Sequence, residues 1–144
     1  MKNRVTVMHG VNFDVLDRRP PGVYGGLSLT LLEQRISQFA RELGLEVRFF
    51  QSNHEGEFVE ELHRSPDYSD GLILNPGAWT HYAWALRDAV EVTGLPAVEI
   101  HLSDPDAREE WRHLSVLADV VVARVKGEGP DGYRTALTRL KEAW

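Results

Sequence analysis

The 144-residue sequence contains no cysteine. That absence excludes disulfides, thiolate zinc sites, iron–sulfur clusters and a cysteine nucleophile. Lysine is nearly absent as well: of sixteen cationic residues thirteen are arginine, and only Lys2, Lys126 and Lys141 remain. A lysine that forms a Schiff base needs an apolar setting or a cationic neighbour to lower its pKa, and none of the three sits in a strongly apolar stretch. No apolar run approaches the roughly 18–20 residues of a membrane span. Met1-Lys2-Asn3-Arg4 leads into a short apolar stretch broken at His9-Gly10 and lacks the long hydrophobic region and cleavage site of a signal peptide. A cytoplasmic protein without membrane association is the expectation. Positive charge is also in deficit: the net charge is −6, which argues against nucleic-acid partners, since those are held by cations on phosphates. The six histidines (9, 54, 63, 81, 101, 113) form no H-E-x-x-H pair and no zinc spacing, so neither a metal nor a cofactor is expected.

What is present is an ordinary globular balance, 42% apolar and 26% charged, in a chain the size of one domain, residues 1–144. Val5-Thr6-Val7-Met8 reads as a buried strand. Residues 17–26 are polar and rich in Arg, Pro and Gly, a loop able to move about Gly25-Gly26. Thr30 and Glu33 fit a capping box, and Leu32, Ile36, Phe39, Ala40 and Leu43 follow at helical spacing up to Gly44. A second strand is expected over 46–51, a short helix around Phe58, Val59 and Leu62, and a third strand over 71–75. A helix over 80–92, a strand over 96–101, a helical turn over 107–112, a strand over 120–125 and a closing helix over 132–144 complete the pattern. Apolar strands alternating with helices imply a parallel sheet covered on both faces. Five strands in so small a domain predict an α/β, flavodoxin-like three-layer sandwich with order 2-1-3-4-5.

In such sheets ligands bind beyond the carboxyl ends of the strands. There the sequence places His9, Gly10 and Asn12, then Arg18, Arg19 and Tyr24; Asn75 and His81; Glu99, His101 and Ser103, then Arg108 and Arg112. His101 alone could equally be a histidine bonded to a backbone carbonyl. Glu99, two residues earlier on the same strand face, can instead hold one ring nitrogen and leave the other for proton transfer. Tyr24 could serve as a base only if cations favour its phenolate, and Arg18, Arg19, Arg108 and Arg112 are candidates. The string Gly127-Glu128-Gly129-Pro130-Asp131-Gly132 matches a dinucleotide fingerprint in letters only. Twelve residues remain after it, too few for a βαβ unit, so a turn and helix start is expected. Trp79, Tyr82 and Trp84 surround His81 as either a subunit contact or a pocket wall.

Taken together these residues resemble the type II 3-dehydroquinate dehydratases over nearly the whole chain. Gly10-Val11-Asn12 is similar to the family's G-P-N, Arg19 through Tyr24-Gly25 to its R-x-P-x-x-Y-G segment, and Gln51-Ser52-Asn53-His54-Glu55-Gly56 to Q-S-N-x-E-G. Asn75 to His81 resembles N-P-G-A-Y-T-H, Arg87-Asp88-Ala89 is R-D-A, Val98 to Ser103 resembles V-E-V-H-I-S, and Ala107 to Arg112 resembles A-R-E-E-F-R. The resemblance implies dehydration of 3-dehydroquinate, an anionic cyclic small molecule, through an enolate, with no Schiff base, metal or cofactor. It implies Tyr24 as base, Arg19 and Arg108 beside it, His101 oriented by Glu99 as acid, and Asn12 at the enolate. It further implies Asn75 and the N–H groups of Leu102 and Ser103 on the carboxylate, His81 and Arg112 on ring hydroxyls, and Asp88 entering from a neighbouring subunit. Homo-oligomers, trimers built into dodecamers, are implied too. The chain departs from the family at His9, Val11, Phe13, Asp14 and Pro20 and over residues 113–119. These departures leave open a relative acting on another cyclic hydroxy-ketone acid. A non-catalytic scaffold would need none of Tyr24, Arg19, Glu99 and His101.

Overall fold

A computed structural model describes all residues, 1–144. Five parallel strands form one sheet: β1 (Arg4–His9), β2 (Glu46–Gln51), β3 (Gly71–Asn75), β4 (Ala97–His101) and β5 (Ala123–Lys126), in the spatial order β2-β1-β3-β4-β5. The expected sheet order is the one observed. The helices are α1 (Pro21–Tyr24), α2 (Leu29–Glu42), α3 (Glu55–Arg64), α4 (Trp84–Thr93) and α5 (Gly132–Glu142). No helix is long and apolar enough to cross a membrane.

Strand alternation sorts the core into two layers. Val5, Val7, Ile73, Val98 and Ile100 face α2 and α5, packing on Leu32, Ile36, Leu137 and Leu140. Met8, Leu72, Leu74 and Ala97 face α3 and α4, packing on Phe58, Leu62, Leu86 and Val90. Each fully buried side chain of this size contributes roughly 1.5–3 kcal/mol. Two polar residues of β4, Glu99 and His101, continue the alternation of Ala97 onto the α3/α4 face and are buried there.

Several boundaries differ from expectation, each for a physical reason. The N-cap of α2 is Ser28, whose hydroxyl accepts from the Leu31 N–H at 3.2 Å. Thr30 lies inside the helix, and Glu33 is drawn away from capping by His9 Nε2 at 3.1 Å. The helix expected from residue 80 begins only at Trp84; Gly77–His81 is a 3-10 turn. The turn is held by His81 Nδ1 donating to the Leu114 carbonyl at 2.7 Å and by the Val116 N–H on the Thr80 carbonyl at 2.8 Å. Residues 107–112 are not one helical turn. They split into 3-10 turns Pro105–Ala107 and Glu110–Arg112, with Arg108 extended between them. β5 starts at Ala123 rather than 120, because its register with β4 begins only at the pair Val98–Ala123. The polar loop over 17–26 carries the single turn α1, ended by Gly25 at φ 90°.

Close approach of β1 and β3 at their carboxyl ends explains one glycine. A Cβ on Gly10 would lie 2.4 Å from the Pro76 carbonyl oxygen. Only glycine lets the chain leave β1 at that angle and turn immediately into Asn12, a non-glycine residue at φ 72°. Such left-handed residues cluster at functional sites, where the surrounding structure holds them.

Candidate active site

A cavity of about 170 Å³ opens at the carboxyl ends of β1, β3 and β4. It is well below the roughly 300–1,000 Å³ of sites for drug-sized ligands, so it suits one small ring rather than a nucleotide. Its lining includes Asn12, Arg19, Tyr24, Asn75, His81, His101, Leu102, Ser103, Arg108 and Arg112. Three arginines and no carboxylate line it, in a chain whose net charge is −6. That local inversion of charge fits an anionic ligand.

Tyr24 stands at the end of α1 with its phenol oxygen between two guanidinium groups. Arg19 Nη2 donates to it at 2.5 Å and Arg108 Nη1 at 2.9 Å. Arg108 Nη1 also reaches Ser103 Oγ at 3.2 Å, and the Arg19 guanidinium lies 4.2 Å from the Tyr24 ring centre. Two fixed cations on one oxygen are complementary to a phenolate.

His101 donates from Nε2 to Glu99 Oε2 at 2.6 Å, which leaves Nδ1 as its remaining ring nitrogen. Glu99 is fully buried. Burial pushes its carboxyl upward, but hydrogen bonds from His101 and Ser115 and the charge of Arg124 outweigh that and hold it below the usual carboxylate range. The His81 ring stacks 6.3 Å from that of His101. Its Nδ1 is committed to Leu114, so Nε2 is the nitrogen left over. Burial is the main cause that holds His81 below its ordinary value, with the nearby His101 and Arg112 acting in the same direction.

Further hydrogen-bond donors collect along the same cavity. Asn75 Oδ1 accepts from the Gly77 N–H at 3.1 Å, which leaves its Nδ2 as a donor. The N–H groups of Leu102 and Ser103 donate to no backbone carbonyl. Arg112 is braced by Glu109 and stacked at 4.0 Å over Trp111.

Of the twelve candidate residues, ten line this cavity; Glu99 stands behind His101, and Asp88 does not reach the pocket of its own chain. Asp88 is exposed on α4 and bonded to Arg87 at 3.0 Å. The unfamiliar carboxylate of Asp14 is not in the cavity: Asn53 Nδ2 donates to it at 3.0 Å, while Asn53 Oδ1 holds the Asn12 N–H at 2.8 Å. Phe13 is buried and stacks on His9 with 5.5 Å between ring centres. Trp79 is a core residue, edge-on to Phe58, whereas Tyr82 and Trp84 are exposed and line no pocket wall. Sequence reasoning missed three supporting residues: Asn53, Ser115 and Arg124. A usable signal existed for Arg124, the one charge in an otherwise apolar run at 120–125, because a charge in so apolar a strand calls for a partner.

The family model of class II dehydroquinases matches residues 3–141. The 3-dehydroquinate dehydratase of Bacillus licheniformis is 48% identical over 134 residues, covering 93% of this chain and 92% of that protein. The Bacillus subtilis 3-dehydroquinate dehydratase is 44% identical, covering 93% and 90%. The crystal structure of a type II dehydroquinase from Butyrivibrio crossotus superposes with a TM-score of 0.93 at 33% identity, over 97% of this chain and 98% of that one. The chain therefore belongs to the class II dehydroquinase family and is, with it, a hydro-lyase.

Proposed function

We propose that the chain converts 3-dehydroquinate to 3-dehydroshikimate, with Tyr24 as base and His101 as acid. The observation that carries this assignment is the Tyr24 oxygen, fixed by Arg19 and Arg108 in the same cavity as the His101–Glu99 pair. The substrate carboxylate sits on Asn75 Nδ2 and the N–H groups of Leu102 and Ser103, and His81 and Arg112 hold ring hydroxyls. The Tyr24 phenolate takes a proton from the carbon beside the ketone. The released electron pair moves onto the ketone oxygen, where Asn12 helps to hold the enolate through a bound water. The enolate then re-forms the ketone, its electrons make the ring double bond, and the carbon–oxygen bond to the tertiary hydroxyl breaks. His101 supplies the proton with which that hydroxyl leaves as water. Electrons and protons balance without metal or cofactor: Tyr24 regains its phenolate by passing its proton to solvent, and His101 takes one back from solvent.

Asp88 is read as a contribution to a neighbouring subunit's site in a trimer-based dodecamer, supported by its exposure on α4 beside the exposed Tyr82 and Trp84. The decisive assay mixes purified protein with 3-dehydroquinate in chelator-treated buffer and follows the conjugated enone by ultraviolet absorbance. Turnover is expected without added metal or cofactor; saturable binding with no turnover would instead favour a different cyclic hydroxy-ketone acid. Light scattering after gel filtration checks the assembly.

A further inference from the structure

Glu99 does not serve His101 alone. Its Oε2 accepts from His101 Nε2 at 2.6 Å and also from Arg124 Nε at 3.2 Å, while its Oε1 takes the Ser115 hydroxyl at 2.5 Å. The sheet register puts Arg124 there: on β5 it is the residue opposite Glu99, so both side chains leave the same face. The next residue, Val125, faces the other layer and is buried in the α2/α5 core. Arg124 keeps 26% of its side chain exposed, whereas Glu99 keeps none, so the guanidinium reaches from the rim of the sheet to a dry carboxylate.

An imidazolium and a guanidinium that share one carboxylate oxygen divide its charge. We propose that Arg124 is a positioning residue that tunes His101 as a proton donor, by lessening the stabilisation that Glu99 gives the imidazolium charge. The inference rests on His101 being the acid. A carboxylate given wholly to the Nε2 side of the imidazole would stabilise the imidazolium strongly and make its Nδ1 proton harder to transfer. With Arg124 on the same oxygen, Glu99 still fixes the ring but surrenders part of its pull. The remaining charged groups around the ring do not substitute for Arg124. His81 stacks on it, and Arg108 and Arg112 line the cavity in front; no other carboxylate lines that space. Lys126 is the register partner of His101, but its ammonium is tied to Asp106.

The test uses the full chain with 13C-labelled histidine rings, as wild type, Arg124→Gln and Arg124→Lys. The His101 signal is identified by its loss in His101→Asn. In Arg124→Gln the His101 titration midpoint should rise by about half a pH unit, and the alkaline limb of the kcat profile should move up with it. Near neutrality kcat should fall about twofold, as a weaker acid implies, with KM for 3-dehydroquinate unchanged; Arg124→Lys should restore most of the shift. A midpoint that stays in place in folded Arg124→Gln overturns the role of Arg124. A midpoint that rises while the rate limb stays still supports the Arg124–Glu99 coupling and overturns His101 as the acid.

Discussion

The two ends of the sheet use polar groups in opposite ways. At the amino end, Asp70 accepts from the N–H groups of Asn3 and Arg4 and from Nε and Nη2 of the Arg4 guanidinium, at 2.9–3.2 Å. The Trp144 indole donates to its carbonyl at 3.0 Å. Glu61 is closed by the Tyr68 hydroxyl and the Arg64 guanidinium, and Thr6 by Ser69. At the carboxyl end, His81 and His101 each commit one nitrogen and keep the other. Arg19 and Arg108 converge on one phenol oxygen, and two backbone N–H groups have no backbone acceptor. A saturated network stabilises a fold; hydrogen-bonding capacity left over around a cavity awaits a ligand.

Substitutions at the two ends should therefore separate activity from stability. The largest effect is expected for Tyr24→Phe, which removes only the oxygen on which both guanidinium groups meet. General-base catalysis contributes about 10²–10⁴-fold, so kcat should fall about 10³-fold while the thermal midpoint stays within a degree or two. A variant that kept a tenth of the rate would break the comparison, because the converging cations would then have no chemical role.

Asp70→Asn should do the reverse. The Arg4 guanidinium and the backbone N–H groups of Arg4 and Asn3 hold the Asp70 carboxyl well below the usual carboxylate range. Its native pKa is depressed, so its contribution is fully present above about pH 4 and is lost as pH falls further. Replacement should lower stability by about 1–2 kcal/mol at pH 7, the scale of hydrogen bonds to a charged group, with kcat within twofold. Urea unfolding at pH 7 and pH 3 checks both statements, since the gap between variant and wild type should narrow in acid.

The carboxyl end was readable from sequence because the fold rule names the residues that follow each strand: Asn12, Asn75, His101 and Ser103 all come to one cavity. The sheet order was readable because five apolar runs alternate with helical spacing. What escaped depends on contacts between segments. Thr30 and Glu33 spell a capping box, yet Glu33 meets His9 of β1 and Ser28 caps the helix. Residues 120–122 are as apolar as any strand, but pairing with β4 begins only at Val98–Ala123. Ser115 lies in a loop and Arg124 on another strand, so neither can be tied to Glu99 without the register. Asp14 departs from the family pattern, and the partner of its carboxylate, Asn53, lies thirty-nine residues away.

The smallest expected effect sharpens the comparison by pH. Burial, aided by the nearby His101 and Arg112, holds His81 below its ordinary value, against the opposing pull of the Leu114 carbonyl. A histidine whose native pKa is depressed is favoured neutral in the fold. The unfolded chain then binds the extra proton first, so the stability this ring contributes is complete above about pH 6.5 and is lost as pH falls toward the native value. At the amino end the corresponding loss begins only below about pH 4, where Asp70 takes its proton. Mild acid should thus loosen the carboxyl end while the Arg4–Asp70 end stays closed. Hydrogen exchange at pH 5.5 and 7.5 reads this directly: amides of residues 77–81 and 114–116 should lose protection at the lower pH, and those of Asn3 and Arg4 should not. In His81→Gln, whose amide can still donate to Leu114 but does not titrate, that difference should flatten. An unchanged pH slope in that variant would assign the acid sensitivity to another group.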